Sequence, residues 1–173
     1  MTTLSWSEAQ FLADHSRADP DYFWRSILGS PTVYDKQLEM ARAVRDHSRV
    51  AVVGANGTGK DWQSARVMLW WMATRSPAIC VVLGPTHRQV SDIVWKEARS
   101  AYLTARMPLG GQMYRTARWE YDDRRYAVGF STDNEYNIQG FHSPNLLVIL
   151  TEAHNIEQSH IDAVKRLNPA RML

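Results

Sequence analysis

The feature that most constrains this chain of 173 residues is a glycine-rich segment with one lysine at residues 54–61. It reads Gly-Ala-Asn-Gly-Thr-Gly-Lys-Asp and has the spacing G-x-x-x-x-G-K. A short β-branched run at residues 49–53 precedes it, and a long stretch without internal glycine or proline, residues 59–75, follows it. This context predicts a strand, a tight loop and a helix in direct succession.

Apolar runs extend this pattern along the rest of the chain. Continuous runs at residues 78–83, 126–130 and 146–150 predict buried strands. Alternation over residues 112–121 predicts a β-hairpin that turns at residues 122–124. The predicted helices cover residues 5–15, 20–28, 34–47, 59–75, 86–106 and 158–167. Strands that alternate with helices predict an α/β fold with a mainly parallel central sheet flanked by helices.

Composition excludes several classes of protein. With 45% hydrophobic residues and seven tryptophans the chain is too apolar to be disordered, and no apolar run approaches the ~18 residues of a membrane span. The single cysteine, Cys80, excludes an intramolecular disulfide and a multi-cysteine metal site. The first ten residues lack the pattern of a secretory signal, so we expect a cytosolic protein. The net charge is only +2, but residues 49–125 are basic between acidic flanks.

The glycine-rich segment has the chemistry of a phosphate-binding loop. Its glycines let backbone N–H groups turn inward towards phosphate oxygens, and Lys60 would reach the β- and γ-phosphates of a nucleotide. The alternative is a glycine-rich turn that binds nothing. The candidate phosphate contacts are Gly54, Ala55, Asn56, Gly57, Thr58, Gly59, Lys60 and Asp61.

The strand predicted at residues 146–150 ends in polar residues and is similar to a Walker B motif. That motif ends in Asp-Glu, whose Asp orients Mg²⁺ and whose Glu polarises the attacking water. Here Glu152 is present, but Thr151 occupies the Asp position. Asp61 in turn occupies the position at which phosphate loops carry the Ser or Thr that binds Mg²⁺.

These two departures can be interpreted together as an exchange. The two positions flank one Mg²⁺ site in proteins with such loops, so Asp61 and Thr151 would still supply one carboxylate and one hydroxyl, the hydroxyl through a water. The alternative is two independent losses and a weakened or inactive ATPase.

Tyr34 and Gln37 lie on the helix predicted before the loop and resemble the Q-motif of helicases and packaging ATPases. Gln37 could pair with N6 and N7 of adenine while Tyr34 stacks on the base. The alternative is a surface glutamine and a core tyrosine.

The helix predicted at residues 86–106 has a basic and aromatic stripe. At about 100° per residue its members share one direction, and such a face suits a phosphate backbone or a neighbour's nucleotide. The alternative is an ordinary solvated face. The stripe comprises Arg88, Trp95, Arg99 and Arg106, and the opposite, sheet-facing side comprises Val90, Val94, Ala98 and Ala101.

On these motifs the sequence resembles the ATPase domain of the large terminase subunit of tailed phages. The matching stretches occur in the family's order and are residues 54–61 with Trp70 and Trp71, residues 84–90 (Gly-Pro-Thr-His-Arg-Gln-Val), residues 129–133 (Gly-Phe-Ser-Thr-Asp), residues 139–142 (Gln-Gly-Phe-His) and residues 146–154.

The resemblance implies a RecA-like P-loop NTPase fold over residues 34–173, after a helical lead-in at residues 1–33. Residues 170–173 look like the start of a further strand, so we expect a longer parent protein. We also expect the domain to be cut short at its C-terminal end and the family's nuclease domain to be absent.

The resemblance also implies an activity, the hydrolysis of ATP with Mg²⁺ to drive double-stranded DNA into a capsid. Glu152 and Lys60 would be catalytic, and Arg88, Arg99 and Arg106 would contact DNA or act on a neighbouring subunit. The implied partners are DNA, a portal protein, a small terminase subunit and further copies in a ring, in the host cytoplasm and away from membranes. If a neighbour supplies an arginine, an isolated chain is a slow enzyme.

Two other functions remain open from the sequence. Residues 151–154 are similar to a DEAH box, which indicates a superfamily 2 helicase-like translocase, although 173 residues cannot hold the second RecA-like domain that such enzymes need. The other is an assembly module that binds ATP without turning it over.

Overall fold

The computed structural model describes residues 6–30, 32–55, 57–132 and 140–173, and its strands form one six-stranded sheet in the order β2-β3-β4-β1-β5-β6. The strands are β1 (Ala78–Gly84), β2 (Gln112–Met113), β3 (Arg118–Asp122), β4 (Arg125–Ser131), β5 (Leu146–Leu150) and β6 (Arg171–Met172). The helices are α1 (Trp6–Ala18), α2 (Pro20–Tyr22), α3 (Asp35–Asp46), α4 (Lys60–Thr74), α5 (Trp95–Leu103) and α6 (Gln158–Arg166), with π-helical segments at Phe23–Ile27 and Arg88–Val94 and a 3-10 turn at Ala153–Asn155.

The centre of the sheet is parallel, as predicted. Strand β1 pairs in parallel with β4 on one side and β5 on the other, and β6 continues the parallel pairing beyond β5. The predicted hairpin is confirmed at the other edge, where β2, β3 and β4 are antiparallel. The predicted α/β class with a mainly parallel sheet and flanking helices is therefore confirmed.

The two faces of the sheet carry separate hydrophobic clusters. Every residue of β1 is buried, and so are the first four of β5, because helices cover these strands on both faces. Helix α4 lies in the larger cluster and buries most of its length. Helix α6 contributes Val164 to the smaller cluster on the opposite face. The fold thus fixes the carboxyl end of β5 and the start of α4.

The strand predicted at residues 49–53 is largely absent. Arg49 forms a single parallel bridge to Met172, and the Val50 N–H donates to the Met172 carbonyl at 2.9 Å. Residues 51–53 lie outside the strands, and Val53 is 100% exposed. The reason is that a strand needs a partner along its length, and β6 offers only two residues.

The helix predicted at residues 86–106 differs in its winding, which overturns part of the predicted stripe. Its first two turns, Arg88–Val94, are π-helical, so each residue after them points in a different direction from that of an ideal helix. Trp95 was expected on the exposed face but is fully buried. The predicted sheet-facing side is confirmed, because all four of its members are buried: Val90, Val94, Ala98 and Ala101.

Candidate functional site

The glycine-rich loop connects residue 53 to the start of α4 in a conformation that suits glycine. Gly57 and Gly59 have left-handed φ angles of 78° and 79°, a region that side chains with a Cβ rarely adopt. Gly59 is the N-cap of α4, whose 15 residues direct their positive dipole end at the loop. Asn56, another predicted contact, lies outside the described residues.

Lys60 folds back across the loop that precedes it. Its Nζ donates to the carbonyl oxygens of Gly54 at 2.8 Å and Ala55 at 3.1 Å. The Thr58 hydroxyl donates to the same Ala55 carbonyl at 2.8 Å. Because a phosphate is a stronger acceptor for an ammonium than a neutral carbonyl is, these bonds leave Lys60 available to an anion.

Asp61 and Thr151, the two departures from the expected motifs, are in direct contact. The Thr151 hydroxyl donates to Asp61 Oδ1 at 3.0 Å, across 90 residues of sequence. The Thr151 N–H donates to the Leu83 carbonyl at 2.9 Å, which holds Thr151 beside the carboxyl end of β1. A Cβ at Gly84 would lie only 2.9 Å from Cγ2 of Thr151, so a side chain at position 84 would collide with Thr151.

Glu152 follows with a backbone conformation that is unusual for its residue type. Its φ is 51°, in the left-handed region, and its carbonyl accepts from the Asn155 N–H at 2.9 Å. Non-glycine residues in this region are uncommon and concentrate at functional sites. The carboxylate is partly buried, with Oε2 3.6 Å from Nδ1 of His154.

Two clefts adjoin the loop and share a wall made by residues 50–54. The first has a volume of about 720 Å³ and extends to Gln37 on α3 and to Tyr34, the residue before α3. The second has a volume of about 630 Å³ and contains Asp61, Thr151 and Glu152. Lys60 borders both.

His154 is a member of the second cleft that sequence reasoning did not select. Its only signal in the sequence is its position two residues after Glu152, at the end of the stretch that is similar to a DEAH box. That similarity assigned no role to His154. The turn at Ala153–Asn155 returns its side chain towards the carboxylate of Glu152.

Tyr34 and Gln37 have the reverse of the burial that the alternative interpretation expected. Tyr34 is 67% exposed, whereas Gln37 is only 6% exposed. Gln37 Oε1 accepts from the Tyr34 N–H at 3.1 Å, and the Gln37 N–H donates to the Tyr34 carbonyl at 2.9 Å. Gln37 Nε2 lies 3.2 Å from the position that a Cβ on Gly59 would occupy, so α3 and the loop are packed together here.

The three arginines expected to act outside the chain have different environments. Arg99 Nη1 donates to the carbonyls of Tyr114 and Arg115, both at 2.8 Å. Arg106 Nη1 donates to the Arg25 carbonyl at 3.3 Å. Arg88 is exposed at the start of the π-helical segment. Two of the three arginines therefore bind backbone of their own chain.

The donors around Asp61 suit Mg²⁺ better than a metal that needs a complete protein cage. Within the described ranges, no group of three or more His, Cys, Asp and Glu side chains could hold a metal ion. Mg²⁺ commonly takes one or two carboxylates and completes its shell with phosphate oxygens and water. Asp61, with Thr151 beside it, fits that partial role.

No family model matches the sequence, and no curated protein matches it either. Across the described residues, none of the helices combines the length and the apolar character that crossing a membrane requires. The site must therefore be interpreted from its own geometry.

Proposed function

We propose that this chain is a Mg²⁺-dependent ATPase with a RecA-like P-loop fold, and that it acts as the motor domain of a phage terminase large subunit. The observation that carries the proposal is the hydrogen bond between Thr151 and Asp61 at the mouth of the glycine-rich loop. A carboxylate from the helix start and a hydroxyl from the strand end meet at one point. This is the arrangement that an exchange of the two magnesium positions requires.

The chain's own groups can be assigned roles in phosphoryl transfer. The loop N–H groups and the dipole of α4 would hold the phosphates, and Lys60 would neutralise charge on the β- and γ-oxygens. Asp61 would hold the Mg²⁺ directly or through one water, and Thr151 would bind a water of its shell. The bound ion would supply charge stabilisation for the leaving diphosphate.

Glu152 is the residue proposed to orient the attacking water. Its carboxylate lines the same cleft as Asp61 and Thr151. The water oxygen would bond to the γ-phosphorus as the bridging bond to ADP breaks, and the water's proton would pass to the carboxylate or to the released phosphate. Nδ1 of His154 lies 3.6 Å from Oε2 of Glu152 and would help to orient that carboxylate.

The test is a binding assay beside a turnover assay on the wild-type chain and two variants. Lys60→Ala should lose Mg·ATP binding, because it removes the only side-chain cation of the loop. Glu152→Gln should keep binding but lower turnover by about 10²-fold or more, in the usual range for a group that assists proton transfer. A wild-type chain that binds no Mg·ATP would contradict the proposal.

Binding without turnover would instead favour an assembly module. DNA-stimulated turnover supports the motor role, and it should fall in Arg88→Ala while ATP binding by the isolated chain is retained. A helicase-like translocase would unwind a duplex with a single-stranded tail, whereas a packaging motor would move along it without strand separation.

A further inference from the structure

We infer that the nucleotide site is indifferent to the base: Tyr34 would hold the base by stacking, and Gln37 would position the loop without reading adenine. This inference rests on the proposed function and specifies its substrate class as nucleoside triphosphates irrespective of the base, rather than ATP alone. It also replaces the role that the sequence predicted for Gln37.

The amide of Gln37 is already committed in a defined orientation. A backbone N–H can only donate, so the bond from the Tyr34 N–H at 3.1 Å fixes Oε1, not Nε2, on that side. Reading adenine would require Oε1 to accept from N6 while Nε2 donates to N7. Oε1 has a second lone pair, but its bond to the Tyr34 N–H holds the amide against the first turn of α3, where Gln37 is only 6% exposed.

The other end of the same amide packs against the glycine-rich loop. Nε2 lies against Gly59, 3.2 Å from the position of a Cβ there, and the residue as a whole is 6% exposed. Gly59 is the N-cap of α4, immediately before Lys60. Gln37 lines the first cleft, but its amide packs against the N-cap of α4, and we therefore assign it as a positioning residue for the triphosphate rather than a contact for the base.

The remaining polar side chains on this side of the first cleft have partners in the protein. Lys36 Nζ binds Glu39 Oε2 at 2.6 Å, and Gln63 Nε2 donates to the Thr58 carbonyl at 3.4 Å. Tyr34, in contrast, presents a 67% exposed side chain on the same cleft. Stacking on an aromatic ring tolerates any base, because every base has a π-face.

The matched variant is Gln37→Glu. A glutamate keeps an oxygen to accept the Tyr34 N–H, but it has no N–H to donate to N7 of adenine. Its added charge near the phosphates weakens ATP and GTP to the same extent, so the informative quantity is the ratio of the two dissociation constants. The full chain is titrated with Mg·ATP, Mg·GTP and Mg²⁺ with inorganic tripolyphosphate.

We expect the wild-type dissociation constants for ATP and GTP to agree within about threefold, and Gln37→Glu to leave their ratio unchanged. Tyr34→Ala should weaken both nucleotides about tenfold and leave tripolyphosphate binding unchanged, whereas Tyr34→Phe should bind nucleotides more tightly than Tyr34→Ala does.

Four outcomes would overturn the inference, and they are distinguishable from one another. A preference for ATP over GTP above tenfold that disappears in Gln37→Glu would assign base reading to Gln37, and one that persists would assign it to another residue. Equal affinities that Tyr34→Ala does not change would remove the stacking role. Absence of binding by ATP, GTP and tripolyphosphate would defeat the proposed function as well.

Discussion

At the scale of single residues, the structure joins positions that look like separate defects in the sequence. Asp61 lacks the hydroxyl that a phosphate loop usually has at its position, and Thr151 lacks the carboxylate that usually ends the acidic strand. The bond of 3.0 Å between them places both groups at one point beside the loop. This contact is what a compensating pair would require, and the exchange itself stays a prediction.

The exchange can be tested with a double-mutant cycle. Asp61→Ser should reduce turnover by about tenfold or more, equivalent to about 1.4 kcal/mol, because no carboxylate then orients the ion. Asp61→Ser with Thr151→Asp should regain activity, with a coupling energy of about 1–3 kcal/mol. Initial rates of phosphate release give all four corners of the cycle.

Asp61→Asn is the control for this cycle, because it can still accept the Thr151 hydrogen bond but has lost the charge. Additive effects of the two changes would show that the positions are independent. A gain of activity by Thr151→Asp alone would instead mark the chain as a weakened enzyme.

Gly129 offers a second prediction at the residue scale. A Cβ there would lie 2.1 Å from Nε1 of Trp95 and 2.7 Å from Cγ1 of Val90. Gly129→Ala should therefore destabilise the fold by about 1–3 kcal/mol or more, the usual cost of overpacking. Denaturant unfolding measures the loss.

The same substitution on a Trp95→Phe background should cost less, since phenylalanine removes the indole nitrogen that the new methyl would meet. An equal cost in both backgrounds would show that Trp95 can move away.

At the scale of elements, two arginines cap the C-terminal ends of α4 and α3. Arg125, at the start of β4, donates to the carbonyls of Met72 and Ala73 at the end of α4. Arg171, in β6, donates to the Val44 and Arg45 carbonyls at the end of α3. Cationic donors at helix C-termini satisfy free carbonyls and oppose the helix dipole. Arg125 belongs to the basic segment at residues 49–125, so part of that basic excess stabilises the fold.

The hairpin edge of the sheet is attached by the aromatic side chains of β3. The Tyr121 hydroxyl donates to the Leu109 carbonyl, and Trp119 Nε1 donates to the Gly110 carbonyl at 3.1 Å. Burial raises the pKa of Tyr121 from 10.0 to about 12. The Tyr121 phenol must therefore stay protonated to donate the hydrogen bond that attaches the hairpin.

This gives a prediction for alkaline pH. Above pH 10 the unfolded chain loses the Tyr121 proton, whereas the folded chain keeps it to about pH 12, so stability should fall as the pH rises between these values. Urea unfolding at a series of pH values, with tyrosinate absorbance as a second probe, measures the slope. Tyr121→Phe keeps the ring without the titrating group and should show a smaller fall, and an identical slope in both proteins would contradict the assignment.

At the scale of the whole molecule, the candidate site lies at the carboxyl ends of the parallel strands. The carboxyl ends of β1 and β5 and the start of α4 meet there, which is where open α/β sheets generally bind ligands. A ligand that contacts both α4 and β5 joins elements that are far apart in sequence. Its binding should therefore stabilise the fold as a unit.

We expect Mg·ATP to raise the melting temperature of the chain. Ligand at 100 times its dissociation constant adds about 2.7 kcal/mol to the free energy of unfolding. ATP with a chelator should give a smaller shift, because the Asp61 carboxylate then repels the phosphates without an intervening cation. Differential scanning fluorimetry measures both shifts, with Lys60→Ala as the variant that should show neither. An equal shift with and without Mg²⁺ would exclude Asp61 from the metal site.

The sequence predicted the parts of this molecule that depend on local pattern. The strand at residues 146–150 matches β5, and α4 begins at Lys60 directly after the loop. The π-helical winding before Trp95 could not be predicted, because a rotation of about 100° per residue applies only to an ideal α-helix. The burial of Gln37 depends on its packing against Gly59, and the pairing of residues 49–53 depends on a distant strand, so neither has a local signal.

Residues 50–54 form a wall that the two clefts have in common. Backbone contacts from residues 48–50 to Met172 join this stretch to the sheet, and both clefts lie against the same five residues. A displacement of residues 50–54 that widened one cleft would narrow the other, so the volumes of both clefts depend on the position of the same five residues.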